Sequence, residues 1–147
     1  MKKIEKIGLC ACLLLMTNFA QSQGSNGMSA CISLHEVVTS VIERKAKGIP
    51  KQVMISRLAP KRVLEQSEFT SPKEIIALNM HEIIDDVYDF ETPDRDVYAH
   101  YAVEKCLVRV DGGIVKPYQL LFSNLKKCGT LHTGIVQRQC VSAALRH

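Results

Sequence analysis

Four cysteines constrain what this chain can fold into more than any other feature. Cys31, Cys106, Cys128 and Cys140 are what remains of six once the first 22 residues are set aside. Two cross-links on a chain of this size fix which segments must lie together. The residues justify setting the start aside. Met1-Lys2-Lys3-Ile4-Glu5-Lys6 is basic, Ile7 to Met16 is an apolar run, and Ala20-Gln21-Ser22 places small residues where signal peptidase reads. That is the pattern of a cleavable secretory signal, with cleavage after Ser22 preferred to cleavage after Ala20. The apolar run is too short to span a bilayer comfortably. Cys10 and Cys12 sit inside it, not just after it, so neither reads as a lipidated first residue.

Residues 23–147 are therefore expected to form one domain in the periplasm or outside the cell, with no membrane span after cleavage. An even number of cysteines oxidises to disulfides there. Three pairings are open. The preferred one is Cys31–Cys106 with Cys128–Cys140: the first ties the start of a helical core to its end, and the second closes a small C-terminal loop. Closing such a loop contributes about 3 kcal/mol in the chain-entropy model. The rival is a zinc site, but no C-x-x-C or H-x-x-x-H pair is present and the spacings match no structural zinc module.

Hydrophobic periodicity predicts helices throughout. After a flexible lead at 23–28, Ser29 is a candidate N-cap, and Leu34, Val37, Val38, Val41, Ile42 and Lys45 follow a helical stripe that Gly48 stops. Pro50 starts a short helix with Val53, Met54, Ile55 and Leu58 on its inner side, broken at Ala59-Pro60. Lys61 to Ser67 allows another turn or two. Ser71-Pro72-Lys73-Glu74 is a capping box with proline at the first helical position. Ile76, Met80, Ile83, Ile84 and Val87 continue that helix to about Phe90. Thr92 is read as the next N-cap, with Pro93 at the first position and acids in the first turn. Val97, Tyr98, Tyr101, Ala102 and Cys106 form the inner face, and Asp111-Gly112-Gly113 ends the helix. Pro117 to Lys127 reads as a helix capped by Gly129. Thr133 to Leu145 reads as a last helix, with Val136, Cys140 and Ala144 on one side. Ile114-Val115 alone reads as a short strand. The sum is an all-α, disulfide-stabilised small helical bundle, with its core at about 29–110 and a less sharply defined helical tail at 111–147.

Charge narrows the function. The signal carries Lys2, Lys3, Lys6 and Glu5, so its removal lowers the formal net charge from +4 to +2. No nucleic-acid footprint remains. Charge is nevertheless segregated along the chain. From Glu82 to Asp96 there are seven carboxylates, opposed only by Arg95; from Arg44 to Arg62 there are seven cations and no acid. Such segregation steers a charged partner, unless the two stretches face each other across the bundle. The candidate contact surface is the acidic edge: Asp85, Asp86, Asp89, Asp94 and Asp96.

Catalytic signatures are missing. His35-Glu36 and His81-Glu82 begin H-E-x-x-H, but Thr39 and Asp85 stand where the second histidine belongs. His81, Asp85 and the distant His100 make an alternative metal set, weighed against solvated residues on an outer helix face. The acids do not have calcium-loop spacing, no G-x-S-x-G is present, and no cofactor is implied. Seven aromatics and no tryptophan in residues 23–147 argue against stacking platforms for nucleic acid or sugars.

Cys31 in the first helix, Lys45-Ala46-Lys47-Gly48 at its end, Val87-Tyr88 closing a later helix and Cys106 in the next resemble a loose group of small exported proteobacterial proteins of unknown activity. The likeness covers about residues 30–107; the tail from Asp111 departs from it. It implies a small periplasmic helical domain and brings no catalytic residues. By analogy of size and compartment with exported immunity proteins, the expected function is non-enzymatic binding of a protein partner in the envelope, in its sharpest form as an inhibitor or immunity protein. The rivals are a small enzyme or metal protein built around His81, Asp85 and His100, and an envelope holding protein for unfolded clients.

Overall fold

The computed structural model describes residues 21–66, 71–132 and 134–146. Residues 1–20, which carry most of the expected signal together with Cys10 and Cys12, lie outside them, as do Ser67 and Thr133. Seven helices and no strand occur among the described residues: α1 (Gln21–Ala46), α2 (Lys51–Ile55), α3 (Lys61–Glu65), α4 (Pro72–Asp89), α5 (Arg95–Val110), α6 (Tyr118–Cys128) and α7 (Gly134–Arg146). None of these helices is long and apolar enough to cross a membrane.

The core is built on α1. Cys31, Leu34, Val38 and Val41 recur at helical spacing and are buried against Ile83, Ile84 and Val87 of α4 and Val97, Tyr98, Tyr101 and Ala102 of α5. Each Leu, Ile or Val side chain among them contributes on the order of 1.5–3 kcal/mol by leaving water. α7 packs on α5 and α6, which brings Val141 and Leu145 into the same core as Leu121 and Leu125. The short α2 and α3 lie along α4. Both expected disulfides form: Cys31–Cys106 pins α1 to α5, and Cys128–Cys140 joins α6 to α7.

The local signals explain most boundaries. The Ser71 hydroxyl accepts from the Glu74 amide and the Glu74 carboxylate accepts from the Ser71 amide, both at 3.3 Å, completing the capping box. Gly48 ends α1 at φ 74°, and the Ile49 and Gly48 amides donate to the Arg44 and Lys45 carbonyls (3.1 and 2.9 Å). This is a Schellman turn, which needs the left-handed conformation that glycine adopts without penalty. Gly112, at φ 75°, ends α5 in the same way.

Five expectations are corrected. Residues 23–28 are not a lead and Ser29 is not a cap, because α1 already runs through both. Gly27 lies where a Cβ would come within 3.0 Å of Val110, so the glycine that reads as a breaker permits close helix approach. The α5 cap is Asp94, not Thr92. The Asp94 carboxylate accepts from the Asp96 and Val97 amides (2.9 and 3.4 Å), a short acidic side chain satisfying two free donors at a helix start. On α7, Cys140 and Ala144 are partly buried against the core as expected, but Val136 is exposed and the buried positions are their neighbours Val141 and Leu145. Lys45 is exposed, its ammonium reaching the Val87 carbonyl. Ile114 and Val115 form no strand; Ile114 is 93% exposed.

Candidate functional site

α4 and α5 both pack far more closely on α1 than on each other. The gap between them is bridged by long polar side chains instead of a seam of apolar ones. On α4, Glu82, Asp86 and Asp89 fall on one stripe; on α5, Tyr98, Tyr101, Lys105 and Arg109 do the same. The stripes meet at the wall of a cleft of about 450 Å³, closed on its other side by Val115, Lys116, Pro117, Tyr118 and Gln119.

The wall is a connected ion-pair network. Lys105, only 4% exposed, donates to Glu82 at 2.8 Å and stands 3.7 Å from Asp86. Arg109 donates to both Glu82 oxygens (2.8 and 3.1 Å) and to the buried Asn79 carboxamide (3.0 Å). The Tyr98 hydroxyl donates to Asp86 at 3.1 Å. Burial raises a carboxyl's pKa and nearby cations lower it, and here the balance differs between neighbours. Burial alone would push Glu82 up; Lys105 and Arg109 outweigh it and hold Glu82 below its ordinary value. At Asp86 burial wins over Lys105 and Tyr98, and the carboxyl is held above the ordinary value. Burial, aided by the Asp86 charge, pushes the Tyr98, Tyr101 and Tyr118 phenols up.

Tyr101 stands apart. Its neighbours Tyr98 and Tyr118 donate to Asp86 and to the Glu91 carbonyl. The buried Tyr101 hydroxyl has no hydrogen-bond partner among the described residues, although its side chain lines the cleft and the Lys105 ammonium sits 5.1 Å from its ring centre. Such an orphaned group costs about 1–3 kcal/mol. At the mouth, Lys116 makes no ion pair among the described residues.

The acidic edge is mostly engaged within the fold. Asp85 pairs with Lys51 at 2.9 Å and Lys61 at 2.8 Å, and Asp89 pairs with Lys51. Burial would raise Asp85; the hydrogen bonds from Lys61 and Lys51 outweigh it and lower its carboxyl. Asp86 is buried. Asp94 caps α5, and Asp96 pairs with Arg95 at 3.0 Å. The acidic and basic stretches thus meet across the bundle at Lys51 and Lys61. His81, Asp85 and His100 are not brought together. His81 is buried and its Nε2–H donates to the Ala59 carbonyl (2.7 Å), Asp85 faces two lysines, and His100 lies 6.0 Å, ring to ring, from His35. No group of three or more His, Cys, Asp or Glu suited to a metal occurs among the described residues.

Sequence reasoning missed Lys105, Arg109 and the role of Tyr101. The signal was present: Lys105 and Arg109 repeat at four residues on α5, as Glu82 and Asp86 do on α4. Complementary i, i+4 charges on two helices mark a polar seam between them. No family model, no curated protein and no solved structure matches this chain.

Proposed function

We propose that this chain is a non-enzymatic binding protein of an oxidising, extracytoplasmic compartment, the bacterial envelope, and that it recognises a protein partner at the rim of this cleft. One observation carries the reading: a polar cleft with a prepaired, rigid wall is edged by apolar side chains left in solvent. Phe90, 40% exposed, lines the cleft itself; Ile114, 93% exposed, adjoins the lining residues Val115 and Lys116; Leu120, 70% exposed, follows Gln119. Apolar residues held out in water around a preorganised polar centre suit a partner that covers them while placing a polar group inside. Tyr101 and Lys116 have hydrogen-bonding capacity to spare there among the described residues.

An inhibitor or immunity protein is the sharpest form of the reading. The two disulfides support the compartment. The charged groups of the wall are committed to one another, which suits shape and rigidity better than proton transfer.

The test is capture from the native envelope, with the chain expressed from its own start and bound proteins identified by mass spectrometry. The expectation is a stoichiometric partner that is lost on Ile114→Asp while the unfolding midpoint is unchanged. A blank at full depth removes the binding reading; undiminished capture by the variant removes the rim.

A further inference from the structure

A second surface lies across α4 from the cleft. Met80 and Ile84 point away from Glu82 and Asp86 around the same helix. With Val41, Met54 and Leu58 they floor an apolar groove of about 570 Å³ between α1, α2 and α4. Arg44 and Arg57 edge it, and Glu36 stands on the α1 side. Val53 lines the groove and is half exposed.

The charges say what would cover it. Of the seven cations between Arg44 and Arg62, Lys51 and Lys61 are consumed by Asp85 and Asp89, and Lys45 by the Val87 carbonyl. Arg44, Lys47, Arg57 and Arg62 have no carboxylate partner among the described residues; Arg44 has only a long contact, 3.9 Å, to the Met54 sulfur. Two of these four, Arg44 and Arg57, edge the apolar groove, while Lys51 and Lys61 are neutralised against α4. From Glu36 to Arg44 the groove follows about two turns of α1, roughly 12 Å. That is the length an amphipathic helix covers with anchors at i, i+4 and i+7.

The geometry points to a docking site for an acidic amphipathic helix of a protein partner, its apolar stripe on Val41, Met54, Leu58 and Ile84 and its carboxylates on Arg44 and Arg57. The concave floor favours inserted side chains over a flat bilayer. This site is independent of the cleft rim, and its partner is distinguished by the carboxylates that Arg44 and Arg57 would meet.

Fluorescence anisotropy with a labelled synthetic peptide tests it: leucines at i, i+4 and i+7, glutamates elsewhere, and the full disulfide-bonded protein as receptor. Saturable binding is expected, weakened by salt, and about tenfold weaker for the Arg44→Ala, Arg57→Ala double variant, from loss of charge-assisted contacts. Val53→Asp, at a half-exposed position, is expected to weaken it comparably without changing the fold. Three results would each overturn the proposal. They are absence of binding, equal binding of a scrambled peptide of the same composition, and displacement of the peptide by phosphatidylglycerol vesicles that bind with the same sensitivity to the two variants.

Discussion

At the scale of single residues, Lys105 holds the α4–α5 seam together. It is a buried cation between two carboxylates, so its loss leaves charge stranded in the interior. Lys105→Met should destabilise the protein by about 3–5 kcal/mol, measured by urea unfolding. Asp86→Asn should cost far less, because burial already disfavours the charge it removes. His100 sets a pH dependence. Burial first, then His35 and Arg138, hold its imidazole below the ordinary value of about 6.5, against the opposing pull of Asp96 and Glu104. The unfolded chain therefore takes up this proton first as the pH falls. The His100 contribution is fully present above about 6.5 and is lost as the pH falls through the folded value. Melting curves across that window should show the midpoint dropping on acidification, with the slope flattened in His100→Gln. An unchanged slope would remove His100 as its source. Asp86, held above its ordinary value, acts in the opposite sense: it favours the folded state at low pH and loses that contribution as the pH rises through its folded value.

At the scale of helices, two ties matter most. Cys31–Cys106 joins residues 75 apart and fixes α1 to α5 at the centre of the core; the chain-entropy model gives about 4.5 kcal/mol for a loop of that length. The paired Cys31→Ser, Cys106→Ser variant should lose about 2–5 kcal/mol, more than the corresponding change at Cys128 and Cys140, where only 12 residues separate the pair. A larger loss at the second pair would contradict this order. The helices were legible because their signals are local: the capping box at Ser71, the glycines at 48 and 112, and the stripes of α1 and α5. The misreadings share a cause, in that distant packing decided them. Nothing near Gly27 announces that Val110 will lie against it, so the start of α1 reads as loop. Thr92-Pro93 and Asp94 each offer a cap, and only the docked helix shows which is used. The cleft was half legible: the acids of α4 stood out as a cluster, whereas their partners Lys105 and Arg109 on α5 are spaced among apolar residues and do not stand out.

At the scale of the whole molecule, segregated charge in the sequence becomes a largely neutralised interior face and two surfaces with residual character. One is an apolar rim around a polar cleft; the other is an apolar groove edged by arginines with no carboxylate partner among the described residues. On this account the acidic edge matters for stability before it matters for recognition. The most direct measurement is the affinity of the captured envelope partner for two variants side by side, Asp89→Asn and Ile114→Asp. Near-native affinity is expected for Asp89→Asn, whose carboxylate is already spent on Lys51, and loss of binding for Ile114→Asp. The reverse pattern, weakened binding by Asp89→Asn and none of the expected loss with Ile114→Asp, would contradict it and return recognition to the acidic edge.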